Sequence, residues 1–211
     1  MNFKTDNPYF CILPWEHLSI DASSLNYKLC CVSDSLIRSD FDTEMDLIHN
    51  SIDEAFYSNH LNKIRKNMLS GCSNVECSAC YEEEEKNILS MRKFYLKNRT
   101  DLIKKSYEET ASDGSVKENF KVNHIELRLG NLCNLKCIMC HPHSSSSFDD
   151  YEKIFGINVS STDLIKKLNK PDDIIKIKDQ IRYVDKITFR GGEPLINQSH
   201  YKLLEELIDA G

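Results

Sequence analysis

The sequence turns on residues 124–142, His124-Ile125-Glu126-Leu127-Arg128-Leu129-Gly130-Asn131-Leu132-Cys133-Asn134-Leu135-Lys136-Cys137-Ile138-Met139-Cys140-His141-Pro142. The first six alternate polar and apolar side chains, which predicts a strand over about 124–129. The remainder is a loop with three cysteines spaced Cys-x3-Cys-x2-Cys. Thiolates at that spacing can wrap one face of a metal cluster. Four-iron clusters are normally held by four thiolates, and no cysteine follows Cys140 in this sequence. Three thiolates would leave one position open to a non-protein ligand, as a catalytic zinc keeps one open.

Downstream, the four-serine run at Ser144–Ser147 reads as a loop or helix start. Helical patterns follow at 149–155 and within 160–182, broken near Asn169-Lys170-Pro171. Tyr183–Phe189 predicts a second strand. It ends in Arg190-Gly191-Gly192-Glu193-Pro194-Leu195, and a helix is expected from about 200 to 211. Strand, loop, helix, strand, loop, helix is the order of a parallel α/β unit. Both loops follow strands and would share one carboxyl-end face. Paired glycines let a small polar ligand approach the backbone closely, and the Glu193 carboxylate can accept from a cationic amine.

Upstream, Cys11 and Pro14-Trp15 precede a short alternating run, His17–Asp21. A polar turn and Tyr27–Cys31 complete a predicted β-hairpin. Ser51-Ile52-Asp53-Glu54 is a capping box, and a helix is expected from there to Leu69, stopped by Ser70-Gly71. Cys72, Cys77 and Cys80 lead into the acidic run Tyr81–Lys86, where a helix is expected to continue to about Asn98. Residues 106–120 are polar and aperiodic and read as a linker. The expected organisation is a small α+β cysteine-rich domain (1–105), that linker, and an α/β segment (121–211).

The cysteine loop together with Arg190-Gly191-Gly192-Glu193-Pro194-Leu195 resembles the radical S-adenosylmethionine (SAM) enzymes. By that resemblance Cys133, Cys137 and Cys140 hold a [4Fe–4S] cluster whose fourth iron binds the amino and carboxylate groups of SAM. Gly191, Gly192, Glu193 and Pro194 would contact the methionine amine, and Met139 would lie near the adenine. The implied chemistry is reductive cleavage of SAM to a 5′-deoxyadenosyl radical, which abstracts hydrogen from a substrate. The implied electron donor is a flavodoxin or ferredoxin. Family cores are (β/α) barrels of about six units, so the expected fold is an incomplete barrel holding the first βα units only. Another chain completing the barrel is one partner this implies.

The amino-terminal cysteines resemble a twitch-type (SPASM-like) auxiliary-cluster domain. That resemblance assigns Cys11, Cys30, Cys77 and Cys80 to a second [4Fe–4S] cluster, with Cys31 as the alternative to Cys30, and leaves Cys72 over. Relatives with auxiliary clusters often modify peptides, so a peptide substrate is expected. The turn before Cys30, usually a glycine turn, reads Ser24-Leu25-Asn26 here, and Asn tolerates positive φ.

Composition bounds these readings. Nine clustered cysteines in a chain without an apolar signal core point to metal ligands in a reducing cytoplasm rather than disulfides. A net charge of −6 gives no electrostatic case for nucleic acid or an anionic membrane surface, and no apolar run nears the roughly 18–20 residues of a membrane span. Cys137-Ile138-Met139-Cys140-His141 also fits a c-type haem attachment pattern, which leaves Cys133 and the Gly-Gly-Glu-Pro turn unexplained. A zinc ribbon built from Cys77/Cys80 and Cys137/Cys140 would span too long a separation. Two other classes stand beside the enzyme: an iron–sulfur or SAM-binding electron-transfer module without turnover, and a zinc-stabilised structural domain on the amino-terminal thiols.

Overall fold

The computed structural model describes residues 7–21, 24–97, 99–128, 130–140, 144–148 and 177–209, the side chain of Ser199 excepted. The helix expected at 149–155 lies outside these residues, as does most of that expected within 160–182; residues 177–181 are helical. The described residues form a mixed α/β fold around one four-stranded sheet.

Leu13–Trp15 is a buried single turn of 3-10 helix, with Pro14 near its start where an N–H is not needed. Strand β1 (His17–Ile20) pairs antiparallel with β2 (Tyr27–Lys28), Ser19 opposite Lys28 and Ile20 opposite Tyr27. This is the expected hairpin in shortened form. Among the described residues of its turn, the left-handed one is Leu25 (φ 64°) rather than Asn26. Asn26 acts through its side chain, which donates to Glu44 at 2.9 Å. A left-handed L-residue costs about 1–2 kcal/mol. Leu25 is buried, and burying a leucine returns a similar amount, about 1.5–3 kcal/mol.

The capping box closes as expected. Ser51 Oγ accepts from Glu54 N at 3.1 Å, and Glu54 Oε2 accepts from Ser51 N at 2.7 Å. The single helix expected there is two, α1 (Ile52–Phe56) and α2 (Asn59–Leu69). Ser58 caps the second by accepting from Leu61 N at 3.3 Å. The next expected helix is likewise two, α3 (Ser78–Glu85) and α4 (Met91–Leu96). Between them Asn87 takes φ 58°, and Ser90 caps α4 through Lys93 N at 3.1 Å. In both cases a serine inside a continuing pattern is a cap, because its hydroxyl competes for backbone N–H groups.

Helix α5 (Thr100–Glu109) extends into the stretch that reads as a linker. Beyond it the chain folds back on the helices. Lys105 Nζ donates to Asn119 O at 2.9 Å, Tyr57 Oη donates to Phe120 O at 2.6 Å, and Phe120 is buried. Strands β3 (His124–Arg128) and β4 (Lys186–Arg190) follow, then α6 (Gln198–Asp209). The sheet order is β2-β1-β3-β4, with β3 parallel to both β1 and β4. Two strands from the cysteine-rich segment and two from the α/β segment thus share one sheet.

The register sets the two faces. His17 lies opposite His124, Ser19 opposite Glu126, His124 opposite Lys186, Glu126 opposite Thr188 and Arg128 opposite Arg190. Leu18, Ile20, Ile125, Leu127, Ile187 and Phe189 line the other face and join the main core with Ile177, Ile181 and Leu203. The polar face is buried at its centre too, at His17, Ser19, His124 and Glu126.

Candidate metal and cofactor site

The cysteine loop leaves the carboxyl end of β3, and the Gly-Gly-Glu-Pro turn leaves the carboxyl end of the adjacent parallel β4. The two loops are docked backbone to backbone. Glu193 N donates to Leu132 O at 2.8 Å, and Gly192 N donates to Ser144 O at 3.1 Å. A Cβ on Gly191 would lie 2.3 Å from Gly130 O, and one on Gly192 only 2.1 Å from Leu132 O. Both glycines have positive φ, 89° and 51°. The close approach that these glycines permit is therefore made by the cysteine loop itself, a role the sequence does not disclose.

The four-serine run staples the same loop. Ser146 Oγ accepts from Cys133 N at 3.1 Å, Ser147 Oγ donates to Cys133 O at 2.6 Å, and Ser145 Oγ donates to Leu135 O at 2.8 Å. Ser146 N donates to Asn131 O at 2.8 Å. Four consecutive small hydroxyls after the cysteine loop are the sequence trace of this. The thiols of Cys133 and Cys140 are half-buried and that of Cys137 is exposed. Cys140 N closes a turn on Cys137 O at 2.9 Å, and Leu135 N donates to Cys133 Sγ at 3.4 Å. Ile138 and Met139 are almost wholly exposed beside the thiols. Glu193 Oε1 accepts from Leu195 N at 3.1 Å, leaving other lone pairs of its carboxylate for a ligand. His141, Pro142 and His143 lie outside the described residues.

A second group of thiols gathers elsewhere. Cys11, ahead of the 3-10 turn, Cys30, after β2, and Cys77 and Cys80, at the start of α3, line one cavity of about 20 Å³. That is room for roughly one water-sized body. Arg92 also lines it, donating to Phe10 O at 2.9 Å and ion-paired with Glu84. Burial raises all four thiol pKa values, with Cys30 and Cys77 at about 12; neighbouring sulfurs add to it at Cys11, Cys30 and Cys77, and Glu83 and Glu84 at Cys80. In the metal-free fold they are protonated, so a metal entering here must displace protons. Among the described residues no three His, Cys, Asp or Glu side chains are set to hold one ion. The thiols ring a space rather than meet at a point.

Cys31 does not join this group. It lines a different, polar cavity of about 120 Å³ with Glu126, Arg128 and Arg190, so the adjacent Cys30 and Cys31 serve opposite cavities. Cys72 is exposed and lines neither cavity. The polar cavity has a signal in the sequence, since β3 and β4 carry a polar residue at every second position. Such alternation normally marks a solvated face, as it is at Lys186 and Arg190 of β4, and only the packing shows that the β3 part, at His124 and Glu126, is buried.

No family model matches the chain, and no solved structure matches it. A curated protein of Methanocaldococcus jannaschii, described as uncharacterized, is 31% identical to this chain over 88 residues. The match covers 42% of this chain and 24% of that protein, so the chain spans under a quarter of its relative's length. Among the described residues no helix is long and apolar enough to cross a membrane.

Proposed function

We propose that this chain is a radical SAM protein that carries the cluster-binding start of a (β/α) barrel together with an auxiliary metal centre. The observation that carries the reading is the docking of the Gly191–Pro194 turn onto the Cys133–Cys140 loop through Glu193 N and Leu132 O at 2.8 Å. Two loops far apart in sequence, both with the family's residue pattern, meet at neighbouring strand ends. The donor chemistry fits: three thiols on one solvent-accessible loop suit a site-differentiated cluster. Cys133, Cys137 and Cys140 would hold it, and the Gly191–Glu193 backbone and carboxylate would receive the methionine end of SAM, with Met139 beside the adenine. When bound, cluster and SAM supply reductive cleavage and hydrogen abstraction, drawing electrons from a flavodoxin- or ferredoxin-type donor. The protein's share is to fix the cluster loop through Ser145–Ser147 and to present a sheltered polar sheet face beside it.

Cys11, Cys30, Cys77 and Cys80 fit a four-thiolate metal centre, read here as the auxiliary cluster. A second reading is a structural zinc at these thiols, favoured by the small volume among them, about 20 Å³. Anaerobic reconstitution with iron and sulfide tests both. About eight irons per chain are expected for two clusters, and about four with zinc for the mixed case. Reduction in the presence of SAM should then yield 5′-deoxyadenosine, and Cys137→Ala should abolish it. Zinc uptake without iron, or cleavage that survives Cys137→Ala, would overturn the proposal. Two clusters without SAM cleavage would leave the electron-transfer module in its place.

A further inference from the structure

We infer that the polar cavity on the sheet is a binding site for a small zwitterion, the ammonium and carboxylate head of a free α-amino acid. The cavity holds about 120 Å³ at the ends of β1 and β3 and β4, beside the cysteine loop. That is about four times a water's share of liquid volume, enough for a carboxylate, an ammonium and the carbon between them. Its lining carries both signs: Asp21 and Glu126 against Lys28, Arg128 and Arg190. A plain anion would meet two carboxylates and a plain cation three basic groups. A ligand whose two charges flank a single carbon satisfies each.

The hydrogen bonding points the same way. Glu126 is buried, and Arg190 Nε approaches its Oε2 at 3.0 Å. No hydrogen bond of good geometry closes on Glu126 Oε1 or on Arg128 Nε among the described residues, although both are buried. Arg128 reaches only Ser144 Oγ, at 3.4 Å through Nη2. Buried polar groups are rarely left without partners, and here one carboxylate oxygen of Glu126 and the Nε of Arg128, two positions apart on β3, close no hydrogen bond of good geometry, although the Cys31 and Ser19 side chains lie close to the Glu126 carboxylate. The Cys31 thiol lies in the same wall. Calling this ligand the substrate rests on the proposed function, but its binding does not.

Cys31 supplies the readout. In the full chain under anaerobic conditions, its alkylation by iodoacetamide is followed by peptide mass spectrometry with glycine, acetate, methylammonium or SAM present. Glycine at ~10 mM should slow alkylation of Cys31 by about threefold or more, and acetate and methylammonium at the same concentration by far less. Glu126→Gln and Arg128→Gln should each lose the glycine effect while keeping the circular dichroism of the parent. Protection should persist in Cys137→Ala, which separates this site from the cluster reading. No protection by glycine, or equal protection by acetate alone, would overturn the inference. So would stronger protection by SAM in Cys137→Ala, which would make the cavity part of the SAM pocket.

Discussion

Gly192 has no room for a side chain. Its φ is 51°, and a Cβ would sit 2.1 Å from Leu132 O. Gly192→Ala therefore meets backbone strain and a backbone clash together, and should cost about 1–3 kcal/mol in urea denaturation while undocking the two loops. Under the proposed function, SAM cleavage by this variant should fall by more than its loss of stability explains, since the clash is where the two loops dock. A stability within error of the parent would contradict the docking. Cys30 and Cys31 show the same dependence on direction. Adjacent in sequence, they line different cavities. If two clusters are bound as proposed, Cys30→Ala should lose about four irons of eight after reconstitution and Cys31→Ala none. Equal losses, measured as iron and sulfide per chain, would contradict the assignment.

Helix α2 is tied to its neighbours by one buried cation. Arg65 donates through Nε to Pro14 O at 2.9 Å, through Nη2 to Phe56 O at 2.7 Å and through Nη1 to Asn62 Oδ1 at 3.0 Å. Its guanidinium also lies 4.5 Å over the Phe56 ring. Burial lowers its pKa to about 9, still charged at neutral pH. Arg65→Met keeps much of the volume but strands two buried carbonyls, and should cost about 2–4 kcal/mol in chemical denaturation. Arg65→Lys should rescue little, because an ammonium cannot span the three acceptors as a planar fork does. In the sequence Arg65 reads as one more polar residue of a helix. The capping box at Ser51 is legible because both partners lie within one turn. The breaks at Ser58 and Asn87 are not, because the apolar spacing continues through them and packing decides which serine becomes a cap.

At the scale of the molecule, the parallel pairing of β1 with β3 sets His17 against His124, ring centroids 4.5 Å apart. Burial holds His17 down at about 3, with His124 lowering it further, and burial holds His124 at about 4. The unfolded chain protonates histidine near 6.5. Stability from this pair is thus present above pH 6.5 and is lost as pH falls from there toward 4, because only the unfolded state takes up the protons. Glu16 and Glu126, raised mainly by burial, work in the opposite sense. Between pH 7 and 5 the two histidines should withdraw about 3–4 kcal/mol of unfolding free energy, before the opposing carboxylates, and His124→Asn should flatten that slope in urea titrations at each pH. The sequence by itself determined the local chemistry: three thiols on a loop after a strand, a glycine-rich turn after the next, and a hairpin with a capped helix behind it. Such features lie within a few residues, where spacing and propensity govern. Only the tertiary structure decided that β1 lies beside β3, that Cys11, Cys30, Cys77 and Cys80 share one cavity without Cys31, and that the polar face is buried where β1 meets β3. Parallel pairing joins strands that no short turn connects. Its register, rather than any local signal, fixes which side chains meet.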